Sequence, residues 1–333
     1  MPFRVHLVPP LLSALIAIPW SIQAEPLLRA VPVEAAPEKR RWFGHERPTR
    51  PEAGPSQPLP SAPPTGPAMP LVPIPSHWKP VASLSDEFNS PGVDPAKWET
   101  NPGSWGPWSW DPANVSQSGG RLALRMVHEP HTRKDLQLFY KSGIVRSREE
   151  ITVGYFEARI KGCPTFPGAS PAFWLYSLGD RPGRVSYCEV DVVELQQDSR
   201  KVRRPAVMDF NLHGRVRDAA GALQQVGPST NPALCAHQWK APFDPRKGYH
   251  VYSAVVTTKH ITWYVDGLQV ATADNLNWHL PMRMVLSLGL RDPHVKESGG
   301  VKSPVPKKAT SKGFPTAMEV DYVRVWAPSE KVP

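Results

Sequence analysis

Glu189-Val190-Asp191-Val192-Val193-Glu194 places three carboxylates among valines, and its reading decides the fold of this chain. Valine is branched at Cβ and favours an extended backbone, so the stretch is expected to be a β-strand. Side chains alternate along a strand, which sends Glu189 and Asp191 to one face and Val190 to the other. Strict alternation would send Glu194 to the opposite face. An extra residue taken up as a β-bulge around Val192 and Val193 would bring it back, so that all three acids line one surface. Acids crowded together repel one another, and a purely structural sheet gains nothing from them. A retaining glycosidase does need such a pair, as nucleophile and acid/base with carboxyl groups roughly 5 to 5.5 Å apart. The competing reading is a solvated edge strand with alternating acids.

Outward from this strand the pattern stays extended. From Ser85 onward, short apolar stretches alternate with turn signals and helical periodicity is nearly absent, which predicts an all-β sandwich. Arg121–Met126 and Thr152–Ile160 read as half-buried strands, and Tyr140–Ile144 as the entrance to another. Ala172-Phe173-Trp174-Leu175-Tyr176 puts Trp174 and Tyr176 on one side, as a binding floor or as a second apolar layer. Met208–His213 separates into apolar Met208, Phe210 and Leu212 and polar Asp209, Asn211 and His213, the division a wet sheet face requires. A lone His such as His213 serves structure at least as readily as chemistry. Asp266-Gly267 supplies a hairpin turn between Ile261–Val265 and Leu268–Val270. Leu286–Arg291 sends three leucines inward and Ser287, Gly289 and Arg291 outward. Arg291 offers a permanently charged fork for a sulfate, a carboxylate or a structural acid. Trp105, Trp108 and Trp110 lie in a Gly- and Pro-rich stretch that forbids a regular strand, where they either line a glycan cleft or pack the loop. The closing strand is Met318–Trp326, after a lysine-rich loop from Val301 to Gly313.

The rest of the chain sets the context. Arg4, the apolar run from Leu7 to Ile18 and Ala24 read as a signal peptide over residues 1–24, which predicts a secreted or periplasmic protein. An uncleaved anchor would need a longer run, and no other segment suffices for a membrane span. Residues 25–80 contain 15 prolines and no sustained hydrophobic period, so a disordered linker is expected there, either a spacer or a dispensable leader. The catalytic-type domain is then expected over 81–328, with 329–333 as a tail. The net charge is +9, and residues 81–333 hold 31 Lys and Arg against 25 Asp and Glu. The basic residues are dispersed and form no nucleic-acid motif, so an anionic polymer outside the cell is the better partner. Cys163, Cys188 and Cys235 match no zinc spacing and allow at most one disulfide, with three pairings open.

With these residues assembled, the chain resembles glycoside hydrolase family 16 in its bulged-strand branch. The resemblance runs over roughly residues 81–327 and includes Asp86-Glu87-Phe88, Tyr155–Ile160, Ala172-Phe173-Trp174, Tyr264-Val265-Asp266-Gly267 and Asp321–Val325, beside the acid signature. Within the family, Ser170–Ser177, Glu194-Leu195 and Leu286–Arg291 are most similar to the κ-carrageenase-like branch. The resemblance implies a jelly roll of two antiparallel sheets with an open concave cleft, and endo-cleavage of a β-1,4-linked sulfated galactan with retention. It implies Glu189 as nucleophile, Glu194 as acid/base and Asp191 as the assisting carboxylate. It also implies that His213 lies on the neighbouring strand, that Trp174 stacks a sugar and that Arg291 meets a sulfate. No cofactor is expected for catalysis. A structural calcium near the chain ends is implied, with Asp321 as a candidate ligand, and a monomer is expected. Porphyranase, agarase and laminarinase activities remain alternatives, as does a lectin-like module without catalysis.

Overall fold

Alternation along each strand sorts this sequence into two layers. In Arg283–Leu290, Met284, Leu286, Leu288 and Leu290 are buried, and in Ala169–Tyr176, Phe173 and Leu175 are fully buried while Trp174 and Tyr176 are half-buried. The computed structural model describes residues 69–197, 205–298 and 301–329. The signal peptide and most of the linker expected from the sequence lie outside these residues. Among the described residues no helix is long and apolar enough to cross a membrane.

The chain folds as an all-β sandwich of jelly-roll type. One sheet, here the cleft sheet, runs in the order Leu223–Val226, Leu212–Arg217, Val185–Glu194, Ala169–Tyr176, Arg283–Leu290, Ile144–Ser147, Trp98–Glu99. The other, the back sheet, is built around Gly154–Lys161, Thr316–Pro328 and Arg121–Arg133. Among the described residues, pairing is antiparallel apart from Ser109–Trp110, which runs parallel to Leu136–Ser142. The valines of the acid strand meet Phe156, Ala254 and Trp263 of the back sheet in one apolar core. Gly143 sits where the chain crosses from the back sheet (Leu136–Ser142) to the cleft sheet (Ile144–Ser147). A Cβ there would lie 2.3 Å from the carbonyl oxygen of Asn114, so only glycine permits the crossing.

The ordered domain begins earlier than composition indicates. Trp78–Pro80 pairs with the end of Thr316–Pro328, Trp78 and Val72 are buried against Tyr155 and Trp326, and Leu71 N–H donates to Glu157 at 3.2 Å. The last residues of the expected linker, which was to end at residue 80, therefore form a strand of the sandwich. Proline density misled because a short edge strand tolerates prolines on its unpaired side, and a few anchoring side chains hold such a segment. The lysine-rich loop is also partly regular, since Val301–Pro304 forms a hairpin with Val295–Ser298.

The resemblance-derived motifs near the chain ends act as staples. Asp86 accepts from Phe88 N–H at 2.8 Å and from Trp98 Nε1 at 2.9 Å, and Glu87 pairs with Arg324. Asp321 is held by Arg159 at 2.7 Å, and Arg159 is 4% exposed. A carboxylate already neutralised by a buried guanidinium does not fit a calcium ligand, because the two cations would compete for the same oxygens. Cys163, Cys188 and Cys235 are all buried and free, so none of the three possible disulfides is present.

Candidate active site

The bulge is present on the acid strand. Asp191 pairs with Trp174 and Val193 with Phe173, which leaves Val192 as the extra residue. Val190, Val192 and Val193 are fully buried, and Glu189, Asp191 and Glu194 all line one cleft of about 850 Å³. A bulge disrupts its own ladder, so its backbone needs other partners. Asp191 N–H donates to Asn211 O at 2.9 Å, and Asp191 O accepts from the indole Nε1 of Trp263 at 2.8 Å. Opposite the bulge, the expected Met208–His213 strand is interrupted. Val207–Asp209 and Leu212–Arg217 each pair with the acid strand, while Phe210 N–H turns away to His237 O. The polar row survives the break: Asn211 and His213 line the cleft, and Asp209 stands across from Glu194.

Each acid has its own surroundings. Glu189 accepts a short hydrogen bond from the Tyr187 hydroxyl, and His213 Nε2 lies 3.9 Å from its other oxygen. Asp191 is 4% exposed and faces His213 Nε2 at 3.5 Å. Burial and the charge of Glu194 push its pKa up to about 7. Glu194 pairs with Arg291, and Asn211 Nδ2 donates to it at 3.4 Å. Burial works to raise the pKa of Glu194, but Arg291, Lys302 and His213 together hold it below the usual carboxylate range. Asp209 is pushed up to about 6, by burial and then by Glu194. Burial opposes the charged form of His213, yet its hydrogen bond to Asp191 and the charges of Asp191 and Glu189 raise it to about 9. At neutral pH the group is therefore an imidazolium among carboxylates. The two carboxylates Asp191 and Glu194 influence one another, and a proton on the pair favours Asp191 over the arginine-paired Glu194.

Glu189, Asp191 and His213 also converge closely enough to hold a metal ion. The mutual contacts of the imidazolium and the two acids account for that convergence, and a cation held there would have to displace the proton from His213 Nε2.

The remaining expected site residues divide. Trp174 lies in the cleft, fixed by its Nε1 donating to Ser287 Oγ at 3.1 Å and by stacking on Tyr176 at 4.9 Å. Trp105 is 38% exposed at the cleft edge and packs edge-on against Trp110 at 5.4 Å. Trp108 and Trp110 border the cleft but are each only 5% exposed and meet at a right angle. They serve mainly as the seat of Trp105. The loop itself is clamped by Arg133, which donates to the carbonyl oxygens of Gly106 and Trp108.

Two neighbours of the acids escaped the sequence reading. Tyr187 is two residues before Glu189 and so shares its face, a signal that simple alternation contains. Lys302 enters the cleft from the Val295–Ser298/Val301–Pro304 hairpin, opposite Arg291, and no local pattern in the sequence assigns it there.

A profile of the family described as "Beta-porphyranase A-D, GH16 domain" matches residues 78–328. The kappa-carrageenase of Pseudoalteromonas carrageenovora is 43% identical over 264 residues, covering 75% of this chain and 64% of that protein. This chain thus spans less than two thirds of that relative's length. Beta-porphyranase B of Zobellia galactanivorans is 28% identical over 242 residues, covering 67% of this chain and 78% of its own. Among solved structures, the P. carrageenovora kappa-carrageenase in complex with an oligotetrasaccharide of kappa-carrageenan superposes with a TM-score of 0.72 at 41% identity, over 78% of this chain and 98% of the other.

Proposed function

The chain belongs to glycoside hydrolase family 16, and from that premise we propose that it is an endo-acting, retaining hydrolase of a sulfated galactan, with κ-carrageenan as the substrate it fits best. The observation that carries this reading is the bulge at Val192, which turns Glu189 and Glu194 to one face with two cations, Arg291 and Lys302, beside them. A neutral glucan brings no anion to these two cations, whereas each sulfate ester brings one. The open cleft suits internal cleavage of a long chain.

In the reaction, Glu189 attacks the anomeric carbon while Glu194 protonates the departing oxygen. The resulting glycosyl ester on Glu189 is hydrolysed by water that Glu194, now a carboxylate, deprotonates. Tyr187 holds one oxygen of Glu189 and leaves the other for attack. Asp191 keeps a proton on the pair it forms with Glu194, and His213 offsets the clustered negative charge. Trp174 and Trp105 offer aromatic faces for sugar rings at two places along the cleft. The reaction needs no metal or cofactor. The apolar N-terminal run supports export, and the protein acts as a monomer.

The description of the matching profile favours a second sulfated galactan, porphyran. Product analysis on κ-, ι- and λ-carrageenan, agarose, porphyran and laminarin separates the two. The expected result is oligosaccharide release from κ-carrageenan with the β-anomer formed first. Release from agarose or laminarin at a higher rate than from any sulfated chain would overturn the reading.

A further inference from the structure

The acid/base role requires Glu194 to carry a proton, yet the geometry holds it as a carboxylate. Arg291 Nη2 pairs with Glu194 Oε1, while the second oxygen accepts from Asn211. On neighbouring Asp191, which is 4% exposed and pairs with no arginine among the described residues, burial and the charge of Glu194 favour the protonated form instead. The other charged groups facing Glu194 are Glu189 on its own strand, Asp209 and His213 on the adjacent strands, and Lys302 and Glu297 on the hairpin.

We propose that Arg291 is a latch on the acid/base that a substrate sulfate releases. In the free protein the guanidinium clasps Glu194, and the sulfate ester of a seated galactan takes the guanidinium over, freeing Glu194 to receive the proton. This inference rests on the sulfated-galactan reading of the site and adds a coupling to it.

Three features make Arg291 a latch rather than a fixed strut. Its backbone N–H is anchored on Gly168 O at 2.9 Å, so the main chain stays. Among the described residues, the guanidinium gives up besides Glu194 only the bond from Nη1 to Leu290 O at 3.1 Å when it turns to a sulfate. The side chain lies back over Gly289, where a Cβ would stand 2.9 Å from Arg291 Nη1, so a larger residue there would push the guanidinium from its clasped position. Lys302 faces the guanidinium, and Arg291 is the largest cause of its lowered pKa. Two cations that repel one another form a seat that an incoming anion relieves.

A sulfate ester is suited to the exchange because it is a far weaker base than a carboxylate. It satisfies the guanidinium with equivalent oxygens and cannot take the proton itself. The proton then moves from the Asp191 carboxyl to Glu194, and Asp191 is left as a carboxylate opposite the His213 imidazolium. The pair keeps its total charge, and no other reactant is needed. Sulfation would then be read in kcat, whereas an arginine that only binds sulfate would alter KM alone.

The test titrates the Glu194 carboxyl by carbon NMR in the full chain carrying Glu189→Gln, with a κ-carrageenan tetrasaccharide or its desulfated counterpart bound. With the sulfated ligand the Glu194 midpoint should rise by about one pH unit or more, a tenfold change in the protonated-to-ionised ratio, and with the desulfated ligand it should stay. In Glu189→Gln/Arg291→Met the midpoint should be high already and indifferent to sulfation. In Arg291→Met alone, the ratio of kcat on sulfated to desulfated chains should collapse towards one. If the parent cleaves κ-carrageenan while the Glu194 midpoint ignores sulfation, the latch falls and the functional reading stands. If the parent cleaves no sulfated galactan, that reading falls and takes the latch with it.

Discussion

The indole of Trp263 reaches across the sandwich from the back sheet and donates its Nε1–H to the backbone carbonyl of Asp191, 2.8 Å away. Trp263 is fully buried, and its bond satisfies the acceptor that the bulge removes from the cleft-sheet ladder. The face chosen by Glu194 therefore depends on a residue in the other layer. Trp263→Phe leaves that carbonyl buried and unpaired, at a cost of about 1–3 kcal/mol. Thermal unfolding should show the loss, and kcat should fall further than the change in folded fraction explains. A variant of parental stability and parental kcat would sever the bulge from this support.

The N-terminal segment from residue 69 is part of the fold. A chain beginning at Pro70 should match the longer protein in stability and kinetics. One beginning at Val81 loses the strand pairing and the burial of Val72 and Trp78, and removal of a buried Trp side chain alone costs about 3–5 kcal/mol. Its unfolding midpoint should drop by several degrees. Equal midpoints for the two chains would show the segment to be a bystander.

Much of this architecture was legible in the sequence because a sandwich strand obeys a period of two. The three acids, Trp174, His213 and Arg291 emerged from alternation together with the family resemblance, and the cleft brings them together. Trp108 and Trp110 were harder to read, since a loop carries no period that separates a buried ring from an exposed one. Lys302 was hidden for a different reason: it reaches the acids through a hairpin whose position is fixed only by tertiary packing. The order of residues 69–80 was masked by proline content, which reports the entropy of a free chain and says nothing of the Trp78 anchor.

Tyr187 is a positioning residue for Glu189. Its hydroxyl donates to Glu189 Oε2, its ring lies under Arg215 at 4.8 Å, and Arg215 is held in turn by Asp180 at 2.9 Å. That bond fixes the rotamer of Glu189 and so the direction from which its free oxygen attacks. Tyr187→Phe should lower kcat roughly ten- to a hundredfold, with KM little changed. A loss confined to KM, or no loss in a folded variant, would leave Tyr187 a packing residue.

Gly289 is needed for the side chain above it. In Gly289→Ala the new methyl meets Arg291 Nη1 at 2.9 Å, and the guanidinium is the group free to move. The backbone φ at this position is not in the left-handed region, so stability should be nearly unchanged. With the Arg291–Glu194 pair weakened, Glu194 should take its proton without help from a sulfate, so the ratio of kcat on sulfated to desulfated chains should fall towards one. A parental ratio in a folded Gly289→Ala protein would mean that the guanidinium finds an equivalent seat.

The last prediction concerns pH, and two linked groups give it a sign. His213 has a folded pKa of about 9, above its ordinary value of 6.5, so it contributes stability that is complete below 6.5 and is lost as pH rises through 9. Asp191 is raised from 3.8 to about 7, and the folded protein again binds the extra proton, so its proton-bound stabilisation fades as pH rises through 7. Both groups act in the same direction, and the unfolding midpoint should decline from pH 6.5 to 9 more steeply in the parent than in His213→Asn. Catalysis should follow the proton on the Asp191–Glu194 pair, with a basic limb of kcat/KM near pH 7. In Asp191→Asn the amide carries no charge to hold a proton on Glu194, which Arg291 already favours as a carboxylate. The basic limb should then move to lower pH, and kcat at neutrality should fall. A basic limb that stays in place in Asp191→Asn would assign the titrating proton to another group and remove Asp191 from the acid/base pair.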